Sequence, residues 1–81
     1  MKLKVLLFAH LKEKAGTREA EVEVPAGASA GAVKARLGEL YPGLRPMLDR
    51  VLMAVNQEYV SDDTLVSEGA EIALFPPVSG G

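Results

Sequence analysis

The sequence predicts an α+β fold, in which a mixed sheet of about four to five strands packs on one main helix. Apolar and polar residues alternate near both ends of the chain, as is typical of strands with one buried face. A segment with helical spacing lies between these two regions. The chain has 81 residues, of which 48% are hydrophobic, so it holds enough apolar material for a single core.

The first predicted strand is KLKVLLFAH, near the start of the chain. Lys2 and Lys4 mark its solvent side, and because strand side chains alternate, Phe8 is expected on that side too. A loop is predicted over LKEKAGT, where Gly16 can adopt a positive φ. REAEVEVP alternates glutamates with small apolar residues up to Pro25, so it predicts a second strand that forms a hairpin with the first.

The middle segment SAGAVKARLGELYPG predicts a helix. Ser29 is suited to the N-cap. Val33, Leu37 and Leu40 are spaced to share one buried face. Pro42 is expected to end the helix, because the residue before a proline is disfavoured in the α region. The next segment, LRPMLDR, is a connector with room for one further helical turn.

Three further strands are predicted in VLMAVN, QEYVS and AEIALF, with a turn near Asn56 and Gln57 between the first two. In the last strand Ile72 and Leu74 face inward, whereas Phe75 faces outward. The resulting order, β-β-α-β-(β)-β, is that of a ubiquitin-like β-grasp. Residues 1–75 are expected to form this domain, and residues 76–81 an extended tail that belongs to it.

Composition and charge exclude several classes of function. The net charge is −2 and the cationic residues are scattered, so binding to nucleic acid is not expected. No apolar run approaches the roughly 20 residues of a membrane span, and no signal peptide is recognised, so a cytoplasmic protein is the default expectation. The chain has no cysteine, which removes disulfides, thiolate ligands and cysteine nucleophiles.

Enzymatic motifs are not apparent either. There is no phosphate-binding glycine loop for ATP and no histidine–carboxylate cluster with metal-ligand spacing, so no metal site is predicted. His10 is interpreted as a solvent-facing residue at a strand end rather than a catalytic base. Asp62 and Asp63 are interpreted as turn residues rather than a catalytic carboxylate pair.

The last seven letters, FPPVSGG, carry the chemistry. Pro76 and Pro77 fix φ near −65° and form a stiff strut after the last strand. Gly80 and Gly81 have no Cβ, so the walls of a partner's channel can close tightly around their backbone. The tail is therefore interpreted as an arm that delivers a carboxylate on Gly81 to another protein, and an inert frayed tail is the alternative.

Phe8 and Phe75 give a second indication of binding. If the first and last strands are neighbours, both rings lie on the exposed face of the sheet near the root of the tail, and Leu6 and Ala73 extend the apolar patch. Exposed apolar patches usually mark a binding surface. The alternative is that a loop, or the short strand containing Tyr59, covers them.

Both ends of the sequence resemble the sulfur-carrier (small) subunits of molybdopterin synthase. The resemblance lies in KVLLFAHLKEKAGT and in LMAVNQEYVSDDTLVSEGAEIALFPPVSGG, above all in FPPV and the two glycines. Residues 18–51 match only in their pattern of strand and helix. Ala70 stands where the family often has aspartate, and Ser79 where threonine is common. Neither difference affects the terminal carboxylate.

The resemblance implies a mechanism. An E1-like adenylating enzyme, using ATP and Mg²⁺, adenylates Gly81, and a sulfur donor protein converts the adenylate to a thiocarboxylate. The sulfur then passes to cyclic pyranopterin monophosphate during molybdenum cofactor biosynthesis. This chain would bind no cofactor and would have no catalytic activity alone, because the catalytic residues are expected in the large subunit.

The resemblance also implies which residues meet the partner. The large subunit and the carrier form a heterotetramer, in which Phe8, Tyr59 and Phe75 dock on the large subunit. The residues inserted into its channel are Pro76, Pro77, Val78, Ser79 and Gly80.

Other functions remain open at the level of sequence. The chain could carry sulfur for thiamine thiazole formation or for tRNA thiolation, although those carriers do not typically have FPPV before the glycines. It could be a ubiquitin-like modifier joined to lysines through Gly81. It could also be a plain interaction domain with an inert tail.

Overall fold

The computed structural model describes residues 1–77. In chain order the elements of this part are β1 (Lys2–Leu7), α1 (His10–Ala15), β2 (Glu19–Glu23), α2 (Ala30–Leu40), a 3₁₀ helix (Pro42–Met47), β3 (Leu52–Val55), β4 (Glu58–Val60) and β5 (Glu71–Phe75). Among these residues no helix is long and apolar enough to cross a membrane.

The strands form one five-stranded sheet in the order β2-β1-β5-β3-β4. The two central strands, β1 and β5, are parallel, with Val5 opposite Ile72, and every other pair is antiparallel. First and last strands are therefore neighbours, as expected. A mixed sheet of five strands with one main helix confirms the predicted α+β β-grasp architecture.

The core lies between one face of the sheet and α2. The inward residues of β1 and β5 are almost completely buried, and so are Val33 and Leu37 of the helix. Burial of each such aliphatic side chain contributes roughly 1.5–3 kcal/mol. Alternation along β5 buries Ile72 and Leu74 and leaves Phe75 on the opposite face, as the sequence predicts. The second face of the sheet has no helix of residues 1–77 packed over it.

The connection between β1 and β2 differs from the prediction. The two strands do pair, but β1 ends at Leu7, so the expectation that His10 lies at a strand end is wrong. His10 instead begins α1, which also occupies the first part of the predicted loop LKEKAGT. Leu11 is fully buried, so this helix attaches the connection to the core. The helix ends at Gly16, which has φ 77° and donates its N–H to the Lys12 carbonyl at 2.9 Å.

Helix α2 begins as predicted, because the Ser29 hydroxyl accepts a hydrogen bond from the Ala32 N–H at 3.2 Å. The prediction that Leu40 shares the buried face is wrong, since this last helical residue is 43% exposed. Pro42 opens the 3₁₀ helix, which is the further helical turn expected in this region. Its Leu44 is fully buried and fills the core beyond the end of α2.

The turn between β3 and β4 lies at Asn56 and Gln57, as predicted, and both residues have positive φ, at 52° and 70°. Two positive φ values are what a tight hairpin turn compatible with sheet twist requires. The Asn56 side chain also accepts a hydrogen bond from the Glu71 N–H at 3.0 Å, which ties the turn to the start of β5.

Candidate docking face and tail root

Three aromatic rings meet on the uncovered face of the sheet. Phe8 follows the last residue of β1, Phe75 ends the parallel neighbour β5, and Tyr59 lies on β4. The rings of Phe8 and Phe75 are stacked, with centroids 4.9 Å apart and planes 7° apart. Tyr59 meets Phe75 edge-on at 6.2 Å and 73°. We refer to these three residues as the aromatic cluster.

The aromatic cluster is open to solvent. Phe8 is 42% exposed and Tyr59 70% exposed, whereas Phe75 is half-buried between them. The alternative that the short strand with Tyr59 covers the phenylalanines is wrong, because β4 lies beside β3 at the edge of the sheet. The strand adds a third ring to the surface instead. Apolar surface of this kind, left open, is typical of a binding site.

Small apolar residues continue the surface between the rings. A shallow groove runs beside the aromatic cluster and is lined by Leu6, Ala54 and Ala73, with Gln57 and Glu71 at its polar margin. Leu6 and Ala73 are directly opposite each other in the parallel β1–β5 pair, so the expected extension of the patch is confirmed. The short side chains of Ala54 and Ala73 leave room for this groove beside the larger rings.

Ala9, immediately after Phe8, has an unusual backbone. Its φ is 53° and its ψ −127°, a region that a residue with a Cβ rarely adopts. The sequence contains no indication of this strain, because alanine there looks like an ordinary strand residue. The conformation turns the chain from β1 into α1 while Phe8 stays stacked on Phe75.

The root of the tail is the segment directly after β5. Pro76 is half-buried and Pro77 exposed, and both line a groove together with side chains of α1 and of the segment before β3. The predicted insertion residues Val78, Ser79 and Gly80 and the predicted reactive residue Gly81 lie outside the described residues. The structure therefore brings together Phe8, Tyr59, Phe75 and the two prolines at one end of the sheet.

The polar residues weighed as possible catalysts are all exposed, namely His10, Asp62 and Asp63. The His10 side chain is 77% exposed and its Nδ1 lies 3.5 Å from a carboxylate oxygen of Glu13. Asp62 accepts a hydrogen bond from Lys34 Nζ at 2.7 Å, which joins the segment after β4 to α2. In residues 1–77 no three His, Cys, Asp or Glu side chains are grouped closely enough to hold a metal ion. What residues 1–77 offer is an open aromatic surface next to the root of the tail.

Comparison with known proteins gives a consistent result. The ThiS family model matches residues 5–81. The molybdopterin synthase sulfur carrier subunit of Chlamydomonas reinhardtii is 37% identical over 83 residues, which cover 100% of both proteins.

Solved structures with the same fold include SAMP1 from Haloferax volcanii, with a TM-score of 0.90, 32% identity and 100% of both chains covered. A second is the putative molybdopterin converting factor subunit 1 from Pyrococcus furiosus, with a TM-score of 0.86 and 31% identity, covering 96% of this chain and 99% of that one. The similarity thus extends through the tail, the aromatic cluster and the less distinctive middle of the sequence, and the chain belongs to the ThiS family.

Proposed function

We propose that this chain is the sulfur-carrier subunit of molybdopterin synthase and that Gly81 carries the sulfur as a C-terminal thiocarboxylate. The observation that carries the proposal is full-length similarity to relatives named molybdopterin synthase sulfur carrier subunit. The resemblance in FPPV and the two glycines supports it at the residues where the chemistry would occur. The proposed location is the cytoplasm.

The reaction requires activation by another protein. A terminal carboxylate has a pKa of about 3.3–3.7, so at neutral pH it is an anion and a poor electrophile. Its oxygen would attack the α-phosphorus of ATP, releasing pyrophosphate and forming an acyl adenylate, with Mg²⁺ and ATP bound by an E1-like adenylating enzyme. Sulfur at the sulfide level, supplied by a donor protein, would then attack the acyl carbon, displace AMP and, after loss of a proton, leave a thiocarboxylate. A donor that holds its sulfur as a persulfide would instead form an acyl disulfide with loss of AMP, and a thiol would then reduce this disulfide to the thiocarboxylate. Because the chain has no cysteine, a persulfide on its own side chain is not available as an alternative carrier.

Sulfur transfer would take place in the large subunit, within a heterotetramer. The aromatic cluster would dock on that subunit, and Pro76 and Pro77 would direct the tail into its channel. Val78, Ser79 and Gly80 would lie inside the channel. The thiocarboxylate of Gly81 would then donate sulfur to cyclic pyranopterin monophosphate. The uncovered face and the proline strut lie side by side, which supports simultaneous docking and insertion.

Intact-mass measurement tests the proposal. The protein is incubated with its activating enzyme, a sulfur donor and Mg²⁺-ATP, and a mass increase equal to replacement of one oxygen by sulfur is expected. Deletion of Gly81, or addition of one alanine after it, should abolish the increase without changing the circular dichroism spectrum. An unchanged mass of the unmodified sequence, under conditions that convert a known carrier, would contradict the proposal.

A second candidate function is conjugation to other proteins through Gly81. The similarity to SAMP1, described in its structure as a small archaeal modifier protein, favours this candidate. Proteolytic digests of cell extract would then contain lysines bearing a remnant that ends in Gly81. Co-purification with a pterin-pathway subunit, rather than with a thiamine or tRNA enzyme, would distinguish the proposed pathway from the other sulfur-carrier pathways.

A further inference from the structure

A groove at the root of the tail is lined by basic side chains. Leu11 and Met47 contribute apolar atoms to its lining, and Pro76 and Pro77 of the tail root lie along it. The ionisable residues that line it are His10, Lys14 and Arg50, and none of its lining residues is acidic. We refer to these three residues as the basic collar.

Two of the three collar residues have no ion-pair partner within residues 1–77. Lys14 and Arg50 are exposed, and neither forms an ion pair with another residue of the range 1–77. Glu13 lies 3.5 Å from His10 but does not line the groove, and neither does Asp49. Two full positive charges therefore flank the point where the tail leaves the domain.

The connection between β1 and β2 carries more positive than negative charge. The connection from β1 to β2 lies at the tail end, because β1 and β5 are parallel, and its residues include Lys12, Lys14 and Arg18 but only one carboxylate, Glu13.

The opposite end carries Glu21, Glu23, Glu68 and Glu71 against Lys2 and Lys4. Glu19, Asp49, Asp62 and Asp63 also lie toward the tail end, so the excess of positive charge there is confined to the β1–β2 connection and Arg50.

The collar must lie close to any channel that receives the tail. Four residues follow Pro77, and four extended residues span at most about 14 Å. If Gly81 reaches a reaction centre inside another protein, the surface around Pro76 and Pro77 comes against the mouth of that protein's channel. Apolar contacts of the aromatic cluster continue directly into this surface, because Phe75 precedes Pro76 and Phe8 lies two residues before His10.

We propose that the basic collar docks against acidic side chains that rim the tail-receiving channel of the large subunit and orients the carrier tail first. This inference rests on the proposed function, which supplies the insertion of the tail. Complementary charges at the rim of an interface act mainly on the rate of association, because they steer diffusional encounter before close contact forms. The collar would thus speed productive encounter, while the aromatic cluster would supply most of the affinity.

The test uses the double variant Lys14→Gln/Arg50→Gln of the full chain and the cognate large subunit. Association and dissociation rates are measured at low and at high salt. We expect the association rate constant at low salt to fall about 3- to 10-fold, with a smaller salt dependence and little change in dissociation. The matched control, Lys2→Gln/Lys4→Gln, removes the same charge from exposed positions at the opposite end of the sheet and should leave association unchanged or faster.

Four outcomes would overturn the inference: an unchanged association rate in the collar variant, a faster one, an equal loss in the control, or no binding of the unmodified chain to the large subunit. Intact-mass measurement on the same preparations separates the two proposals. Sulfur loading of Gly81 together with unaltered association contradicts only the role of the collar. Failure of loading contradicts the proposed function itself.

Discussion

At the scale of single residues, Ala9 is the position where the backbone is under strain. Its positive φ is held from both sides, because the Phe8 carbonyl accepts the Leu11 N–H at 3.1 Å and the Ala9 carbonyl accepts the Glu13 N–H at 3.3 Å. A residue with a Cβ in such a conformation costs about 1–3 kcal/mol. The strain lies next to the aromatic cluster, at the surface where we propose that the partner binds.

Ala9→Gly should stabilise the fold, because glycine adopts this φ and ψ without a steric penalty. We expect the free energy of unfolding to rise by about 1–2 kcal/mol, part of the relief being offset by the greater freedom of glycine in the unfolded chain. Urea denaturation measures the change. The opposite substitution at another position of positive φ, Gly16→Ala, places a Cβ at φ 77°. It should lower the free energy of unfolding by about 1 kcal/mol. A loss of stability in Ala9→Gly would show that this backbone is not strained.

At the scale of elements, the contact between α1 and the 3₁₀ helix depends on a close approach of their backbones at Lys14 and Gly43. We refer to this contact as the joint. A Cβ built on Gly43 would lie 3.1 Å from the Lys14 carbonyl oxygen, which is tighter than normal packing. The two short helices pack on each other here, and each contributes one fully buried leucine, Leu11 or Leu44. The joint also holds Lys14 beside the tail root.

Gly43→Ala should therefore destabilise the protein, although alanine is the better helix former. Because the neighbour is a backbone oxygen, α1 must shift, and a loss of about 1–2 kcal/mol is expected in urea denaturation. Shortening the neighbouring side chain by Lys14→Ala should not rescue the loss, since the clash does not involve that side chain. Equal stability of Gly43→Ala and the unmodified chain would mean that the helices separate without cost.

The elements could be predicted to different extents from sequence. The alternation of β5 correctly placed Phe75 on the open face, because the period of a strand is two and its buried partners Ile72 and Leu74 are large. Helix α1 cannot be predicted from periodicity, because its six residues contain a single buried side chain, Leu11. The exposure of Leu40 cannot be predicted from its spacing, because α2 ends at this residue and Leu44 of the 3₁₀ helix fills the core instead.

At the scale of the whole molecule, the sheet has one face that packs in the core and one open face, and only the apolar half of the open face is proposed for docking. Helix α2 covers the first, while the second is divided into an apolar half near the tail and a charged half at the start of β1 and β5. Parallel pairing of the first and last strands is what brings Phe8 to Phe75 and so places the apolar half beside Pro76. The alternation of side chains along the strands could predict the face of the sheet on which each ring lies. It could not predict the distance between the stacked rings, which depends on the turn at Ala9.

This division predicts that fold stability and partner affinity can be changed separately. Tyr59 and Leu65 are a matched pair, since both are large hydrophobic residues at 70% exposure, but only Tyr59 belongs to the aromatic cluster. Tyr59→Ser and Leu65→Ser should each change the free energy of unfolding by no more than about 1 kcal/mol, because little apolar surface is lost from the core.

Titration calorimetry with the large subunit should then separate the two variants. Loss of an aromatic anchor at the centre of an interface typically costs 2 kcal/mol or more, so Tyr59→Ser should weaken binding by about 30-fold or more. Leu65→Ser should bind like the unmodified chain. If both variants bind as tightly as the unmodified chain, the large subunit binds to some other surface. If both bind equally weakly, the affinity depends on exposed apolar area in general and not on docking at the aromatic cluster.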